Sequence, residues 1–367
     1  MERELERLKE REPESAEYDR GLRWMMEKRR QREQGQVLMK AGEVPWTQSR
    51  MAHLKRYVGE HNWNEVAAPG WIVTRPQEVT NTGKHTHKGG GIIVYVLEGK
   101  GRTVNNDVNL DWEAGDMEIL PVARFENVHQ HFNLNPGKPW GAIFIRFWPY
   151  MEAVAHETVH MQDAPGFKGP EAKDIYRPAD WLTRGNASLQ GYDIKFDGPP
   201  TTLLDRMFQR RNEWRERLSH ARLVIKKDTC PVETNRMGIY RWYIHPDFTD
   251  VACRHILFWV HEIPAGSRSG KQKHQGGRIH FVIEGSGYSI VEGKRYDWEA
   301  EDLLMLPTKA GGVAFQHFNS DPSHPARLAV AEINWYDALG VDMACGFEQI
   351  EDCPEWSAAQ AKVAGRK

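Results

Sequence analysis

Two segments of the 367-residue chain are versions of one another, and this repeat constrains the fold more than any other feature. The first segment runs from Gly83 to Asn133, and the second runs from Gly270 to Asn319. From Ile93 onward the two align at a constant offset of 186 residues; before that the offset is 187, because the first copy carries one extra glycine. A repeat of this kind predicts one structural unit that was built twice.

Composition and hydrophobic pattern divide the chain into five predicted regions. Residues 1–60 are rich in charge and helical in character, and 151–235 contain an amphipathic helix that we expect to pack between or across the two repeated units. Residues 61–150 and 236–340 consist of short β runs with turn signals about every ten residues, which predicts antiparallel sandwiches or barrels. The tail, 341–367, is expected to be helical or frayed.

The composition argues against several classes of partner. The 49 Lys and Arg residues nearly balance the 51 Asp and Glu residues, so we expect no nucleic-acid partner. No apolar run approaches the ~18–20 residues of a membrane span, and the N-terminal segment lacks the apolar core of a signal peptide. The cysteines form no CxxC pair, which predicts reduced, buried thiols in a cytoplasmic protein. There are four of them: Cys230, Cys253, Cys345 and Cys353.

Three histidines of the first copy carry the clearest chemical signal. His85 and His87 are two residues apart in a segment that leads into a strand, so their side chains should point to the same face. His129 lies 42 residues beyond His87 and follows a Gly-Asp turn. A hairpin return of this length can bring its side chain back over the other two histidines. Three converging neutral imidazoles suit a borderline divalent ion such as Fe(II), with Mn, Ni, Cu or Zn as alternatives.

The order of these motifs resembles a known family. HxH followed by VLEGKG, then Gly115-Asp116, Pro121 and the pair His129 and Asn133, resembles the two motifs of the cupin superfamily. The doubled arrangement is similar to bicupins, above all to the gentisate 1,2-dioxygenase and salicylate dioxygenase group. The resemblance implies a mainly β fold of two cupin barrels (double-stranded β-helix, jelly-roll) with an N-terminal helical extension and a helical or loop segment between them. It also implies a homodimer or homotetramer.

One departure from the common cupin pattern is informative about function. Many cupins carry a glutamate ligand at the position that Ile92 occupies here. A site of three histidines leaves the metal its full charge and up to three open positions, enough for two substrate oxygens and O₂. The resemblance therefore implies a non-haem Fe(II) dioxygenase that uses O₂ to cleave the ring of a hydroxylated aromatic compound like gentisate, salicylate or hydroquinone.

A fourth histidine in the first copy lies close to the predicted ligands. His131 is two residues beyond His129 and should face the same cavity. In the family that the chain resembles, such a pair supplies one ligand and one histidine behind it. We assign His129 as the ligand and His131 as a catalytic residue that bonds substrate or transfers a proton, and the reverse assignment stays open.

Three further residues are candidates for substrate binding. Trp71 and Arg75 are four apart on the strand before the motif and share a face, and Arg146 is a second candidate for an inward-pointing arginine. Packing and solvent exposure explain Trp71 and Arg75 equally well. The arginine that gentisate-type enzymes carry on the VLEG strand corresponds to Val94, so carboxylate recognition as in those enzymes is not implied.

The second copy has lost most of the ligand set. At the three ligand positions it has Gln272, His274 and Phe315. Strand parity directs His280 and His317 into the same cavity. A metal held by His274, His280 and His317 is one alternative, but we favour a structural barrel that retains a degenerate polar pocket.

Three alternatives to a dioxygenase remain. One is a metal-dependent bicupin decarboxylase, isomerase or lyase acting on a small oxygenated acid, and another is a non-enzymatic ligand-binding bicupin. The third is a zinc protease, because His156 to His160 spell HExxH, in which two histidines one helical turn apart bind zinc. A Pro-Gly pair soon after this motif leaves little room for a helix, which argues against the protease.

Overall fold

The protein consists of two barrels, each built from a seven-stranded and a five-stranded antiparallel sheet. This mainly β architecture confirms the fold class that the repeat predicted. The computed structural model describes the following residues: 15–88, 91–106, 108–121, 127–154, 157–172, 196, 198–336 and 347–364.

Twelve of the strands lie in the N-terminal half of the chain. They are β1 (Leu38–Met39), β2 (Trp46–Gln48), β3 (His53–Val58), β4 (Trp71–Glu78), β5 (Lys84–Lys88), β6 (Ile92–Glu98), β7 (Lys100–Asn105), β8 (Val108–Glu113), β9 (Met117–Leu120), β10 (Asn127–Asn133), β11 (Trp140–Phe147) and β12 (Glu157–Gln162).

The strands of the C-terminal half follow the same order. They are β13 (Val224–Ile225), β14 (Val232–Asn235), β15 (Gly238–Ile244), β16 (Ile256–Ile263), β17 (Lys271–His274), β18 (Ile279–Glu284), β19 (Ser286–Val291), β20 (Lys294–Glu299), β21 (Leu303–Met305), β22 (Val313–Asn319), β23 (Ala326–Ile333) and β24 (Phe347–Glu351). The helices are α1 (Ser15–Gln34), α2 (Trp148–Ala153), α3 (Leu203–Ser219) and α4 (Pro354–Ala364).

The two halves exchange an edge strand. The first barrel has the sheets β13-β9-β6-β11-β4-β3-β2 and β12-β5-β10-β7-β8, and the second has β1-β21-β18-β23-β16-β15-β14 and β20-β19-β22-β17-β24. Strand β1 therefore completes the second barrel, where Leu38 pairs with Leu304, and β13 completes the first, where Val224 pairs with Glu118. Each large sheet ends on a strand from the other half.

A buried aspartate fixes each exchanged strand. Asp302 of the second barrel accepts hydrogen bonds from Lys40 Nζ and from the backbone N–H of Ala41, both at 2.8 Å. In the first barrel Asp116 accepts from Lys226 Nζ at 2.7 Å and from the next backbone N–H at 3.0 Å. Because both carboxylates are only 1% exposed, these bonds join the halves in a poorly solvated environment.

The barrels also share a core. Tyr57 packs edge-on against Phe281 with ring centroids 5.7 Å apart, and Tyr95 lies 5.4 Å from Phe258. Trp71 Nε1 donates to the carbonyl of Gly277 across the same interface at 2.8 Å. A separate apolar cluster fills the inside of the first barrel; it contains Ile92, Val94, Val96, Trp112, Leu120, Trp140, Ala142, Phe144 and Met151.

Several local expectations differ from the structure. Residues 1–60 were expected to be helical, but beyond α1 they form β1, β2 and β3, since these short runs gain backbone partners in the two large sheets. The tail contains α4 as expected, but β24 precedes it and pairs with β17. Helix α3 exists as predicted but buries no residue, and Leu203, Leu204 and Met207 on it are exposed, so it does not lie between the barrels. It contacts the second half at its surface, where Arg254 lies 4.4 Å from the ring centroid of Trp214.

Two expectations about the chain as a whole can be compared with the described residues. Cys230, Cys253 and Cys353 are buried and free of disulfides, as expected, whereas Cys345 lies outside the described residues. Within the described ranges, no helix has the length and apolar character needed to cross a bilayer.

The strand exchange leads to a stability prediction. Replacing Asp302 with alanine removes the acceptor of three charge-assisted hydrogen bonds, two of them from Lys40 and Ala41 of the other half and one from the backbone of Glu299. The free energy of unfolding should therefore fall by about 2–3 kcal/mol in a urea titration. The exposed Asp297 on β20 pairs with Arg295, and Asp297→Ala should leave the urea midpoint unchanged. Equal midpoints for the two variants would show that the buried aspartate does not hold the halves together.

Candidate metal centre

Strand pairing brings the three predicted ligands together. Strands β5 and β10 are antiparallel neighbours, and His129 lies directly opposite His85 in their register. His87 is two residues along β5 and projects to the same face. The ring centroids of the three histidines are 4.3 to 5.1 Å apart, and one nitrogen of each lies within 4.8 Å of the others. The hairpin geometry expected from the sequence is present.

A hydrogen bond at Nδ1 orients each of these imidazoles. An Nδ1–H that donates to an oxygen fixes the tautomer and leaves Nε2 with a lone pair, which is the usual arrangement around a metal-binding histidine. The three Nδ1 atoms and their partners are His85 with Gly83 O at 3.4 Å, His87 with Thr158 Oγ1 at 3.0 Å, and His129 with Asn127 O at 2.8 Å.

The site favours neutral histidines. Burial and the neighbouring charges of His131 and Arg146 lower the pKa of His85 to about 3. Burial likewise holds the pKa of His129 well below its ordinary value. At neutral pH these imidazoles are therefore unprotonated, and their lone pairs are available to a cation.

The donor set fits a divalent ion. His129 Nε2 is buried and has no hydrogen-bond partner among the described residues, although such an atom normally needs one. Three imidazole nitrogens without a carboxylate form the cluster, which suits borderline ions such as Fe(II). These observations support a three-histidine metal site on His85, His87 and His129.

His131 belongs to a separate polar network behind the cluster. Its Nδ1 lies 2.7 Å from Thr103 Oγ1, and that hydroxyl donates to Glu118 Oε2 at 2.7 Å. Trp112 Nε1 donates to the same hydroxyl oxygen at 3.0 Å. The single proton of the Thr103 hydroxyl is directed to Glu118, so Nδ1–H of His131 must donate to Thr103. In this tautomer Nε2 of His131 carries a lone pair and no proton. His131 and Glu118 are both fully buried.

Thr103 and Glu118 were not among the residues predicted from the sequence. A signal was available, because Glu118 is a charged residue in an otherwise apolar strand, and its aligned residue in the second copy is Leu304. In that copy His317 bonds Ser289 at 2.7 Å, so the hydroxyl is kept but the carboxylate is not. The carboxylate is a property of the first copy alone.

Two of the residues predicted to bind substrate, Trp71 and Arg75, do not line the histidine cavity. Trp71 belongs to the core between the barrels, where it bonds Gly277, rather than to the histidine cavity. Arg75 is buried and paired with Glu98 at 2.9 Å and with Glu301 of the other barrel at 2.7 Å. Trp71 and Arg75 share a face of β4, as strand parity predicted, but this face is opposite the histidine cavity. The prediction that they contact substrate there is therefore wrong.

Arg146 lies on the cavity side. It alternates along β11 with Ala142 and Phe144, which belong to the cluster inside the first barrel. Its charge contributes to the lowered pKa values of His85 and His129, and burial lowers its own pKa to about 10. In the part of the chain that the structure describes, it has neither a hydrogen-bond nor an ion-pair partner.

The second barrel holds no equivalent metal cluster among its described residues. His274 Nε2 bonds Glu332 at 3.0 Å and its Nδ1 accepts from a backbone N–H, so both nitrogens are used. His280 and His317 are buried near each other with ring centroids 4.8 Å apart. The alternative of a metal on His274, His280 and His317 is therefore not supported, because the first of these histidines is hydrogen-bonded to Glu332.

The second barrel replaces the metal site with an ion pair. Arg278 bonds Glu332 at 2.6 Å and donates to Gln272 Oε1 at 3.2 Å. At an offset of 186 residues, Arg278 and Glu332 align with Ile92 and Arg146 of the first copy. The same pair of positions thus carries a complete ion pair in one barrel and a lone arginine in the other.

The HExxH segment does not have the structure that a zinc protease needs. Residues Glu157–Gln162 form strand β12, which pairs with β5, and His160 bonds Asp163 at 2.8 Å. His156 lies outside the described residues. On a strand, residues four apart are not on adjacent turns of a helix, so the motif is a chance match.

Sequence comparison finds one informative relative. No family model matches the chain. The gentisate 1,2 dioxygenase 1 of Aquipseudomonas alcaligenes is 25% identical over 238 residues, which is 64% of this chain and 61% of that protein. The chain therefore spans less than two thirds of the length of this relative.

Solved structures share the fold. A salicylate 1,2-dioxygenase variant from Pseudoaminobacter salicylatoxidans, in complex with gentisate, gives a TM-score of 0.52 at 14% identity and covers 86% of this chain and 85% of that one. An oxalate decarboxylase variant from Bacillus subtilis gives 0.54 at 10% identity, with 90% and 84% covered. Vicilin from Corylus avellana gives 0.55 at 11% identity, with 86% and 88% covered.

The fold and the three-histidine site are similar to those of bicupins. Within that class it resembles the gentisate and salicylate dioxygenase group, as its histidine motifs predicted. The homodimer or homotetramer that the resemblance implies stays a prediction.

Metal content tests the ligand assignment. His129→Ala removes one of three donors, so the metal content of the purified protein should fall from about one divalent ion per chain to a small fraction of that value. Gln272→Ala changes the position in the second barrel that aligns with His85 and should leave the metal content unchanged. Elemental analysis measures both, and a full complement of metal in His129→Ala would rule out this histidine as a ligand.

Proposed function

We propose that the protein is a non-haem Fe(II) dioxygenase that cleaves the ring of a hydroxylated aromatic acid with O₂. The observation that supports this most strongly is the combination of three converging imidazoles with a guanidinium, that of Arg146, which has no hydrogen-bond or ion-pair partner among the described residues. The cluster contains no carboxylate, and the carboxylate that acts on Arg146, Glu60, is paired with Arg56, so the region carries excess positive charge once an ion is bound. It thus favours an anionic ligand.

His85, His87 and His129 would hold the ion. A bound Fe(II) would supply coordination of two substrate oxygens together with O₂ and the redox chemistry that ring cleavage requires. A three-histidine set without a glutamate leaves room for these ligands. The gentisate dioxygenase relative makes an aromatic substrate the first class to test.

Arg146 would bind the carboxylate or a phenolate oxygen of the substrate. A guanidinium offers two parallel N–H donors to a carboxylate, and burial strengthens such a bond because water is excluded. Since Arg146 has no partner in the described protein, it does not have to break an ion pair to bind substrate. The aligned Glu332 of the second barrel, by contrast, is already neutralised by Arg278.

His131 would accept the proton of a substrate hydroxyl. Its Nε2 is buried without a partner among the described atoms, and its ring lies 5.4 Å from that of His129. When Nε2 takes the proton the ring becomes an imidazolium, and Glu118 Oε2, 3.4 Å from Nδ1, stabilises the positive charge. Thr103 orients the ring by accepting from Nδ1.

Oxygen uptake tests the reaction. Protein reconstituted anaerobically with Fe(II) should consume O₂ with at least one of gentisate, salicylate, hydroquinone and catechol analogues. The ring-opened product should contain both oxygen atoms when ¹⁸O₂ is supplied. Full iron occupancy with no uptake on any of them would contradict the dioxygenase and favour a decarboxylase, isomerase or lyase.

Arg146 can be tested with paired substrates. Arg146→Met keeps the length and apolar stem but removes the charge, so KM for a carboxylated substrate should rise about 10–100-fold. The KM of hydroquinone, which lacks the carboxylate, should change much less. Steady-state oxygen consumption gives both constants, and an equal rise for the two substrates would argue against carboxylate binding by Arg146.

The hydroxyl of Thr103 provides a matched pair of variants. Thr103→Val removes the acceptor for His131 while keeping the shape, and kcat should fall about 10–100-fold with little change in iron content. Thr103→Ser keeps the hydroxyl, as Ser289 does in the second barrel, and should retain most of kcat. If the valine variant lost its iron instead, the network would be structural support for the metal site.

A further inference from the structure

The second barrel contains a cavity that the metal chemistry does not use. Its volume is about 470 Å³, and every residue that lines it belongs to the second half of the chain. Cavities of roughly 300–1,000 Å³ are the usual size of small-molecule sites. The cavity reaches Gln272, which aligns with His85, so it occupies the place that corresponds to the metal centre of the first barrel.

Aromatic side chains form its walls. Tyr240 and Trp259 are stacked with ring centroids 5.5 Å apart, and Trp242 packs 5.1 Å from Trp259. Tyr336 and Leu257 complete the apolar lining. Flat walls of this kind match a planar ligand, because stacking and edge contacts add to the burial of apolar area.

The polar end of the cavity is electrically balanced. Arg278 and Glu332 form an ion pair and are 3% exposed each. Although burial raises the pKa of Glu332, Arg278 and His274 together hold it at about 2, so the carboxylate is ionised and offsets the guanidinium. The other arginine that lines the cavity, Arg236, pairs with Asp352. An ionic ligand would therefore find no unpaired arginine or glutamate here and would lose its own hydration.

Two hydrogen-bond donors of the lining residues remain available. Gln272 uses its side-chain oxygen to accept from Arg278, which leaves its NH₂ group without a partner among the described residues, and the buried Nε1–H of Trp259 has none either. An amide NH₂ donates to a carbonyl or hydroxyl oxygen.

We propose that this cavity binds a neutral, planar aromatic molecule of one or two rings that carries an oxygen acceptor, without a metal. Stacking on Tyr240, Trp242 and Trp259 holds the ring, and the Gln272 amide fixes its orientation. The proposal does not depend on the dioxygenase activity, because none of these residues belongs to the first barrel. The two barrels would then differ in ligand class, with an anion bound beside the metal and a neutral molecule bound here.

A pair of isosteric probes tests the charge preference. Benzamide is neutral and benzoate is anionic, and both can be titrated into the full-length protein by ligand-observed NMR. We expect benzamide to bind the second barrel at least about tenfold more tightly than benzoate. Only binding that Trp242→Ala weakens counts as second-barrel binding, since benzoate can also reach Arg146.

Three variants locate the bound probe. Trp242→Ala should weaken benzamide binding about tenfold or more, whereas Trp242→Phe keeps a ring and should retain most of it. Gln272→Leu tests the hydrogen bond in a variant of similar volume and should weaken benzamide about fivefold to tenfold. Melting temperatures establish that the variants are folded.

His85→Ala is the control for the other barrel. It removes a proposed metal ligand of the first barrel and should leave benzamide binding unchanged. Loss of binding in His85→Ala, equal binding of benzoate at the Trp242-dependent site, or no benzamide binding at millimolar concentration would each overturn the proposal.

Discussion

The reciprocal exchange of edge strands is the constraint on which the other features depend. Because β1 and β13 each complete the sheet of the opposite half, the two barrels are held in a fixed relation by backbone hydrogen bonds. The buried Asp116 and Asp302 reinforce this arrangement from equivalent positions. Strands β6 and β9, which form the wall next to the histidine cavity, therefore have a paired outer edge rather than an exposed one.

On this framework the barrels differ through a few inward-facing positions. The first barrel keeps three imidazoles and a lone arginine, and it adds Glu118 behind His131. The second barrel pairs its arginine with Glu332 and consequently loses both excess charge and a histidine ligand. These substitutions change the charge or the ligand set of a cavity, while His85 and His129 keep the same pairing register as Gln272 and Phe315. Two similar scaffolds therefore present two different chemical environments.

The sequence predicted those features that depend on short spacing. His85, His87 and His129 could be assigned because strand parity and one hairpin determine their directions. Trp71 and Arg75 could not, because parity tells which residues share a face but not which face points inward. The strand exchange was also missed, although Leu38 to Lys40 and Val224 to Lys226 repeat at the same offset of 186 residues. The exchanged strands pair with residues more than a hundred positions away in the sequence, and no local sequence pattern predicts such a pairing.

The exchanged strands have a consequence for how the duplicated chain can change over time. A chain reduced to one copy would leave the edge of its large sheet bare and would lose the partner of its buried aspartate. The copy without metal ligands is thus retained for structural reasons, whatever its own chemistry. Substitutions in its cavity leave the three-histidine cluster of the first barrel untouched, so the duplicated chain can change one pocket while it keeps the other.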